Sequence, residues 1–238
     1  MIDSEIRNGQ RGLAIITARG GSKRIPRKNC KEFLGRPIMV YSIEAALSSN
    51  MFDTVMVSTD DKEIAEIGKK AGAEVPFFRS EKTSDDFAST ADVILEVLQE
   101  YQKRGQFFDY ICCIYPTAPF VSGENLKSAM KKLIQEQADT VIPVVPFSFP
   151  PQRSVILEDG YLEPKWPENM AKRSQDLETL YHDCGQFYCM KVERFLAEKT
   201  IFMEKTCPFI MNELEVQDID TEVDWQLAEL KYKLLKSM

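Results

Sequence analysis

Histidine is almost absent from this chain. The one imidazole, His182, rules out a multi-histidine metal centre and leaves a single candidate for histidine acid–base work. Cysteine is present but unpatterned. Cys30, Cys184, Cys189 and Cys207 are scattered, no C-x-x-C occurs, and Cys112 and Cys113 adjoin inside an apolar run that suits buried thiols. Neither a disulfide framework nor a zinc site is expected. No apolar run reaches the length of a membrane span, and Met1 to Gly12 is polar, without the apolar core of a secretory signal. The expected compartment is therefore the cytoplasm, with no membrane partner and with residues 1–12 as a flexible leader. Positive charge is not in excess either. The balance of 30 Lys+Arg against 37 Asp+Glu gives a net of −7, so no global attraction to nucleic acid is expected. Both common phosphate signatures are missing: Gly20-Gly21 runs straight into Ser22-Lys23, which matches neither G-x-x-x-x-G-K-[ST] nor G-x-G-x-x-G. That disfavours a P-loop kinase and a dinucleotide fold.

What is present is a cationic loop at the end of a short apolar run. Leu13 to Thr17 reads as a buried strand, followed by the small residues Ala18, Gly20, Gly21 and Ser22. Arg19, Lys23, Arg24, Arg27 and Lys28 then place five cations within ten positions. Small residues let backbone N–H groups approach an anion and the cations neutralise it. A solvated basic turn is the plainer alternative, but the position directly after a strand favours phosphate binding. Five cations this close repel one another without a polyanion between them, so the expected ligand is a triphosphate.

Beyond the loop, strand and helix patterns alternate. Ile38, Tyr41, Ala45 and Ala46 mark a helix after Pro37, Thr54 to Ser58 a strand, and Thr59-Asp60-Asp61 the entry to a helix that Gly72 closes. Glu74 to Phe78 reads as a short strand. Ser89 or Thr90 opens a helix with Val93, Ile94, Val97, Leu98 and Tyr101 on one face, and Tyr110 to Tyr115 is the most apolar strand, expected at the sheet centre. Ser122 opens another helix, Thr140 to Val145 another strand, Gly185 to Val192 and Phe209 to Met211 two more, and Thr221 with Asp224 caps the last helix. The alternation predicts a parallel sheet with helices on both faces, and ligands bound beyond the carboxyl ends of its strands. The pattern breaks at Pro146. Five prolines between Pro146 and Pro167 make 146–182 an insertion, expected over the site and in dimer contact.

Two further constellations carry chemistry. Asp218 and Asp220 lie two residues apart on an extended segment and share one face. Such like charges call for a cation, and oxygen-ligated Mg2+ beside substrate phosphates is the usual one. An acidic helix entry before Thr221 is the even-odds alternative for this motif alone. The polar run from Lys172 to Gln186 offers Arg173 for a carboxylate and Gln175, Asp176, His182, Asp183 and Gln186 for sugar hydroxyls. An exposed loop is the alternative there, and composition alone favours it.

ARGGSKRIPRKN (Ala18 to Asn29), VSTDD (Val57 to Asp61), GAEVPFFR (Gly72 to Arg79), PTAP (Pro116 to Pro119) and DIDT (Asp218 to Thr221) together resemble the sugar-acid cytidylyltransferases, which make CMP-sialic acids. The resemblance spans nearly the whole chain beyond the leader. It implies a three-layer α/β/α sandwich on a mostly parallel Rossmann-like sheet of the nucleotide-diphospho-sugar transferase type, forming one domain over 13–238. Arg19 and Lys28 fall where the family holds the triphosphate, with Ser22, Lys23 and Asn29 beside them. Arg79 and Thr90 match positions around the cytidine, and Asp218 and Asp220 match the Mg2+ carboxylates. FSFPPQR (Phe147 to Arg153, including Gln152 and Arg153), RSQDLE (Arg173 to Glu178) and YHDCGQFY (Tyr181 to Tyr188) lean toward the branch that activates pseudaminic acid. Tyr115 stands where sialic-acid members usually have Gln, and Val121 where they have Arg, both near the sugar site. The implied partners are CTP, a nine-carbon sugar acid and a second copy of the chain, and the implied reaction makes a CMP-sugar for glycan or flagellin glycosylation. Another sugar acid (legionaminic, N-acetylneuraminic or 3-deoxy-octulosonic) is the alternative substrate. A non-catalytic nucleotide sensor is the alternative class, which would not need both carboxylates of DIDT.

Overall fold

The computed structural model describes residues 9–237. Most of the expected leader, residues 1–8, lies outside them. The described end of that leader is tied down: the Arg11 amide donates to Asp109 Oδ2 at 2.7 Å, and the first strand already starts at Gly12.

The chain runs β1 (Gly12–Thr17), β2 (Glu32–Phe33), β3 (Arg36–Pro37), α1 (Ile38–Ser49), β4 (Thr54–Ser58), α2 (Lys62–Lys70), the single turn α3 (Glu81–Ser84) and α4 (Thr90–Lys103). It continues through β5 (Tyr110–Ile114), α5 (Gly123–Gln135), β6 (Thr140–Pro146), β7 (Val155–Glu158), β8 (Tyr161–Pro164), β9 (Tyr181–Asp183), β10 (Phe187–Lys191), α6 (Val192–Glu198), β11 (Thr206–Ile210) and α7 (Glu222–Ser237). The main sheet has the order β11-β6-β10-β5-β1-β4, with β9 also on β6. β4, β1, β5, β6 and β11 point one way; β9 and β10 run against them. The sheet is thus mostly parallel, with β5 inside it, and the carboxyl ends of β1, β4, β5 and β6 share one edge. β9 and β10 meet that edge from the other direction, separated by Cys184–Gln186.

Strand alternation builds the three layers. Ala14 and Ile16 of β1 face a core with Met39 and Ile43 of α1 and Leu126, Met130 and Leu133 of α5. Leu13 and Ile15 face the other core, with Ile94, Val97 and Tyr101 of α4 and Phe195 of α6. The helices start where side chains satisfy their free amides. Asp61 accepts from the amides of Glu63 and Ile64, and Ser89 with Asp92 and Ser122 with Asn125 form capping boxes. Glu74 to Phe78 departs from expectation. Only Glu74 bridges Met56, and the chain then leaves the sheet, because Pro76 has no N–H to continue a ladder.

A third cluster lies off the sheet. Ile25, Phe33, Ile38, Tyr41, Phe120, Ile219, Trp225 and Ala228 are all buried together. Leu34 and Gly35, both at positive φ, make the tight β2–β3 hairpin that aims Phe33 inward. Phe33 meets Tyr41, Trp225 and Tyr232 edge-on at centroid distances of 5.5, 5.7 and 5.6 Å. Lys31 Nζ sits 4.5 Å above the Trp225 ring and pairs with Glu222 at 2.6 Å, clamping α7 to the loop. Trp225→Ala is expected to cost about 3–5 kcal/mol, the range for emptying a buried aromatic site. Urea unfolding should show the midpoint fall, with far-ultraviolet dichroism native before the transition; an unchanged midpoint would mean that α7 is not held here.

Candidate active site

The loop after β1 is shaped by its neighbour on β4. The Ala18 amide donates to Ser58 O at 3.0 Å and the Gly20 amide to Asp60 Oδ1 at 2.9 Å. A Cβ on Gly20 would come within 3.0 Å of Asp61 Oδ2, so the close approach requires glycine, while Gly21 is open on all sides. The Gly20 N–H, which the sequence offered as an anion donor, is instead used inside the protein on Asp60. Asn29, buried, donates from Nδ2 to Arg19 O at 2.8 Å and pins the loop's two ends together.

The five cations separate into different roles. Arg27, at φ 56°, turns away and grips both Asp61 oxygens, at 2.5 and 3.1 Å, with Glu63 alongside. It is a structural tie between the loop and the start of α2, which corrects the reading of five cations around one anion. The other four line a cleft of about 610 Å3, together with Thr17, Ser22, Asn29, Thr90, Tyr115 and Thr117. They are not unpaired. Arg19 Nη1 donates to Asp86 Oδ1 at 2.8 Å, and Lys23 donates to the same carboxylate. Arg24 Nη1 donates to Asp220 Oδ2 at 2.6 Å; Lys28 Nζ reaches Asp220 Oδ1 at 3.4 Å and Ile219 O at 2.6 Å. Repulsion within the cluster is thus relieved by two carboxylates of the chain itself, and does not by itself demand a polyanion.

A side recess of about 180 Å3 opens from the same walls and is lined by Arg79, Thr83 and Thr90. Arg79 is buried and donates to Ser58 O at 2.8 Å, Ser58 Oγ at 3.1 Å and Thr83 O at 3.4 Å. Burial pulls its guanidinium pKa down. Thr90 Oγ1 lies 3.0 Å from the Tyr115 hydroxyl. The Tyr115 and Tyr188 rings meet edge-on at 5.7 Å, and the Tyr188 hydroxyl donates to Asp183 Oδ2 at 2.7 Å. Burial pushes both phenols' pKa values up, so both stay protonated donors. Gln186 is buried beside them; its Nε2 donates to Glu215 O at 2.7 Å, and its Oε1 has no partner among the described residues.

The sugar-side candidates divide. Tyr115, Asp183 and Gln186 sit at the sheet edge. His182, its ring tilted against Phe147 at 4.7 Å, faces a separate pocket of about 250 Å3 shared with Ser148, Asp218 and Lys231. Gln152, Arg153, Arg173, Gln175 and Asp176 lie on the insertion, and none lines this chain's cleft. Gln152 Nε2 donates to Glu178 O at 2.8 Å, and Arg153 Nη1 to Ser174 Oγ at 3.3 Å. Arg173 is spent on Asp176 at 2.8 and 3.2 Å, so within one chain it does not present a free guanidinium to the cleft. Val121 is buried in the core under α1, not at a sugar site.

Ile219 is buried in the third cluster, and the carboxylates on either side of it have different surroundings: Asp220 pairs with Arg24 and Lys28, while Asp218 lines the pocket beside His182. The capping box of α7 fixes the backbone: the amides of Asp220 and Thr221 donate to Asp224 Oδ2 at 3.1 and 2.8 Å. Desolvation first, and then the Asp220 charge, raise the Asp218 pKa, although its side chain stays partly open to water. Among the described residues no three His, Cys, Asp or Glu side chains converge on a metal position. Two hard oxygen donors whose mutual repulsion a cation relieves fit Mg2+ that takes its other ligands from phosphate and water. Sequence reasoning missed Asp86 and the pairing of Arg24 with Asp220. Asp86 had a weak signal, an acidic pair at Asp85-Asp86 facing a basic loop, but pairing across 60 residues is not readable from spacing.

A cationic cleft at the carboxyl edge of a mostly parallel three-layer sheet, with Asp220 paired to two of its cations, is the layout of a nucleotidyltransferase. The cytidylyltransferase family model matches residues 13–221, and the chain belongs to that family. It is 42% identical over 225 residues to pseudaminic acid cytidylyltransferase from Campylobacter jejuni, covering 94% of this chain and 97% of that protein. It is 32% identical to the CMP-N,N'-diacetyllegionaminic acid synthase of Legionella pneumophila, over 91% of this chain and 94% of that one. Among solved structures, a CMP:2-keto-3-deoxy-manno-octonic acid synthetase complexed with CTP shares the fold, with a TM-score of 0.66 at 15% identity, covering 96% of this chain and all of that one.

Arg27 holds the Asp61 carboxyl at a pKa of about 2 against an ordinary 3.8. A lowered carboxylate stabilises above its unfolded pKa and loses that contribution as pH falls through the folded one. Asp61→Asn keeps the helix cap and removes the ion pair. At pH 7 it should cost about 1 kcal/mol, scaled down because the pair is partly solvated. The gap to wild type should close between about pH 4 and pH 2 in urea titrations. A gap independent of pH would mean that the pair is not what it measures.

Proposed function

We propose that this enzyme transfers CMP from CTP to a nine-carbon sugar acid, with pseudaminate as the preferred acceptor, giving CMP-pseudaminate and diphosphate for glycan or flagellin glycosylation. The observation that carries the reading is Lys28, a phosphate-loop cation that touches Ile219 O and Asp220 in the acidic pair, joining both halves of a transfer site. The 42% identity to a protein named for pseudaminate supports the choice of acid over the legionaminate-named relative at 32%. Both carboxylates of the pair are present, which favours catalysis over nucleotide sensing.

The acceptor's anomeric hydroxyl attacks the α-phosphorus, the P–O bond to diphosphate breaks, and the hydroxyl proton leaves to solvent. Covalent work by the protein is small; positioning and charge stabilisation dominate. Arg19, Lys23 and Lys28 take the charge that builds on the leaving diphosphate. Arg79 and Thr90 line the recess that receives the base. Tyr115 offers its hydroxyl and Gln186 its unpartnered Oε1, an acceptor, from the sheet edge toward the acceptor side. Asp218 and Asp220 would hold Mg2+, which neutralises phosphate charge and lowers the pKa of the attacking hydroxyl.

The insertion completes the site from a second subunit. β7 and β8 form an isolated hairpin with Leu157, Tyr161 and Leu162 about 70% exposed, and such a hairpin is not stable alone in water. A homodimer covers it and carries Arg173, Gln175 and Asp176 to the partner's cleft. Equilibrium sedimentation should give a dimer at micromolar concentration, and Leu162→Glu a monomer; a monomeric wild type sinks this arrangement.

Diphosphate release measured with CTP, Mg2+ and each sugar acid in turn tests the reading, with pseudaminate expected to be fastest. Asp220→Ala should stay folded and lose at least ~100-fold in turnover, the scale for one preorganised electrostatic contact. Near-normal Mg2+-dependent turnover in that variant would remove the pair from catalysis.

A further inference from the structure

The two carboxylates that neutralise the cleft differ in what they are free to do. Asp220 belongs to the acidic pair. Asp86 has no role in the transfer described above, yet it binds two of the four cleft cations: Arg19 Nη1 at 2.8 Å and the Lys23 ammonium. It lines both the main cleft and the side recess. Its backbone is fixed from both sides. Asp85 Oδ1 accepts from the amides of Phe87 and Ala88 at 3.0 and 2.8 Å, folding the chain into an Asx turn, and the Ser89–Asp92 capping box starts α4 directly afterwards. Arg19 Nη1 also donates to Asp85 O at 3.0 Å, so the turn receives the guanidinium through its backbone as well as through Asp86. The Asp86 side chain, at 40% exposure, can rotate to water without disturbing that turn.

Phosphates entering the cleft meet Arg19 and Lys23 only by taking them from this carboxylate. We infer that Asp86 is a positioning residue, an internal counter-anion that holds Arg19 and Lys23 in the cleft between turnovers and competes with the phosphates for them. It takes them back as diphosphate leaves. The exchange is of like for like: one anion replaces another on the same two cations, so the cleft never passes through a state of unpaired positive charge. The inference rests on the reading of the cleft as the triphosphate site. It predicts an unusual sign. Removing a residue from the wall of a binding site normally weakens binding; removing a competing anion strengthens it.

The test titrates inorganic diphosphate into the full-length protein calorimetrically, without metal, for wild type, Asp86→Asn and Asp86→Glu. Asp86→Asn should bind diphosphate roughly two- to fivefold more tightly, the upper part of the range an exposed ion pair supports. The difference should shrink as salt rises, because screening weakens the competition. Asp86→Glu should return to the wild-type value. Diphosphate should also inhibit turnover of Asp86→Asn at lower concentration than wild type. Binding by Asp86→Asn that is unchanged or weaker than wild type overturns the proposal, and a weaker value would make Asp86 a metal or structural ligand instead. If wild type binds neither diphosphate nor CTP, the cleft reading itself falls, which is a different result from a wild type that binds and a variant that fails to bind more tightly.

Discussion

The packing of Ile25 and Ile219 into one apolar cluster is the contact on which the site depends. One side chain comes from the basic loop, the other from between the two acidic residues, nearly the whole chain apart in sequence. Phe33, Tyr41 and Trp225 surround them, so the aromatic edge-on contacts and the Lys31 clamp decide how far Lys28 stands from Asp220. Burial of these apolar groups, worth some 1.5–3 kcal/mol per side chain, far exceeds what the exposed ion pairs above it supply. The charges are thus set in place by a hydrophobic mount that does not titrate.

The chain is acidic overall, and it uses that acidity locally. Its most basic loop is met by carboxylates from three other places: Asp61 and Glu63 at the start of α2, Asp86 before α4, and Asp220 before α7. Arg27 grips both oxygens of Asp61, a carboxylate that also caps a helix. Asp86 and Asp220 each meet two cations through more exposed contacts at the mouth of the cleft. Strength and placement together divide one run of cations into a structural tie and a binding surface.

The polar edge of the sheet beside the cleft is built differently: the Tyr115–Tyr188–Asp183 network and Gln186 form it, and the insertion that carries Arg173 stands apart from it. A phosphate end made from one subunit's loop and an acceptor end completed by another segment would let acceptor preference change without altering the nucleotide site.

Much of the architecture was legible from local pattern. The helix caps at Ser89, Ser122 and Thr221, the strands at Leu13, Thr54 and Tyr110, and the layered parallel arrangement all follow from periodicities of neighbours along the chain. So did the basic loop and the alternation that buries Ile219 between Asp218 and Asp220. The false strand at Glu74 to Phe78 shows the limit, since apolar composition does not reveal that the backbone has left the sheet. The antiparallel β9–β10 segment among parallel strands was equally hidden, because direction is set by the long path of the insertion. Charge pairing was the largest gap. The sequence showed five cations within ten positions; only the tertiary structure assigned Arg27 to Asp61, Arg19 and Lys23 to Asp86, and Arg24 and Lys28 to Asp220, because an ion pair depends on distance in space and leaves no period in the sequence. The chain by itself determined which chemical groups were available and on which face each would lie. The fold decided which of them meet, because that is settled by burying Ile25 and Ile219 in one apolar cluster and not by either segment alone.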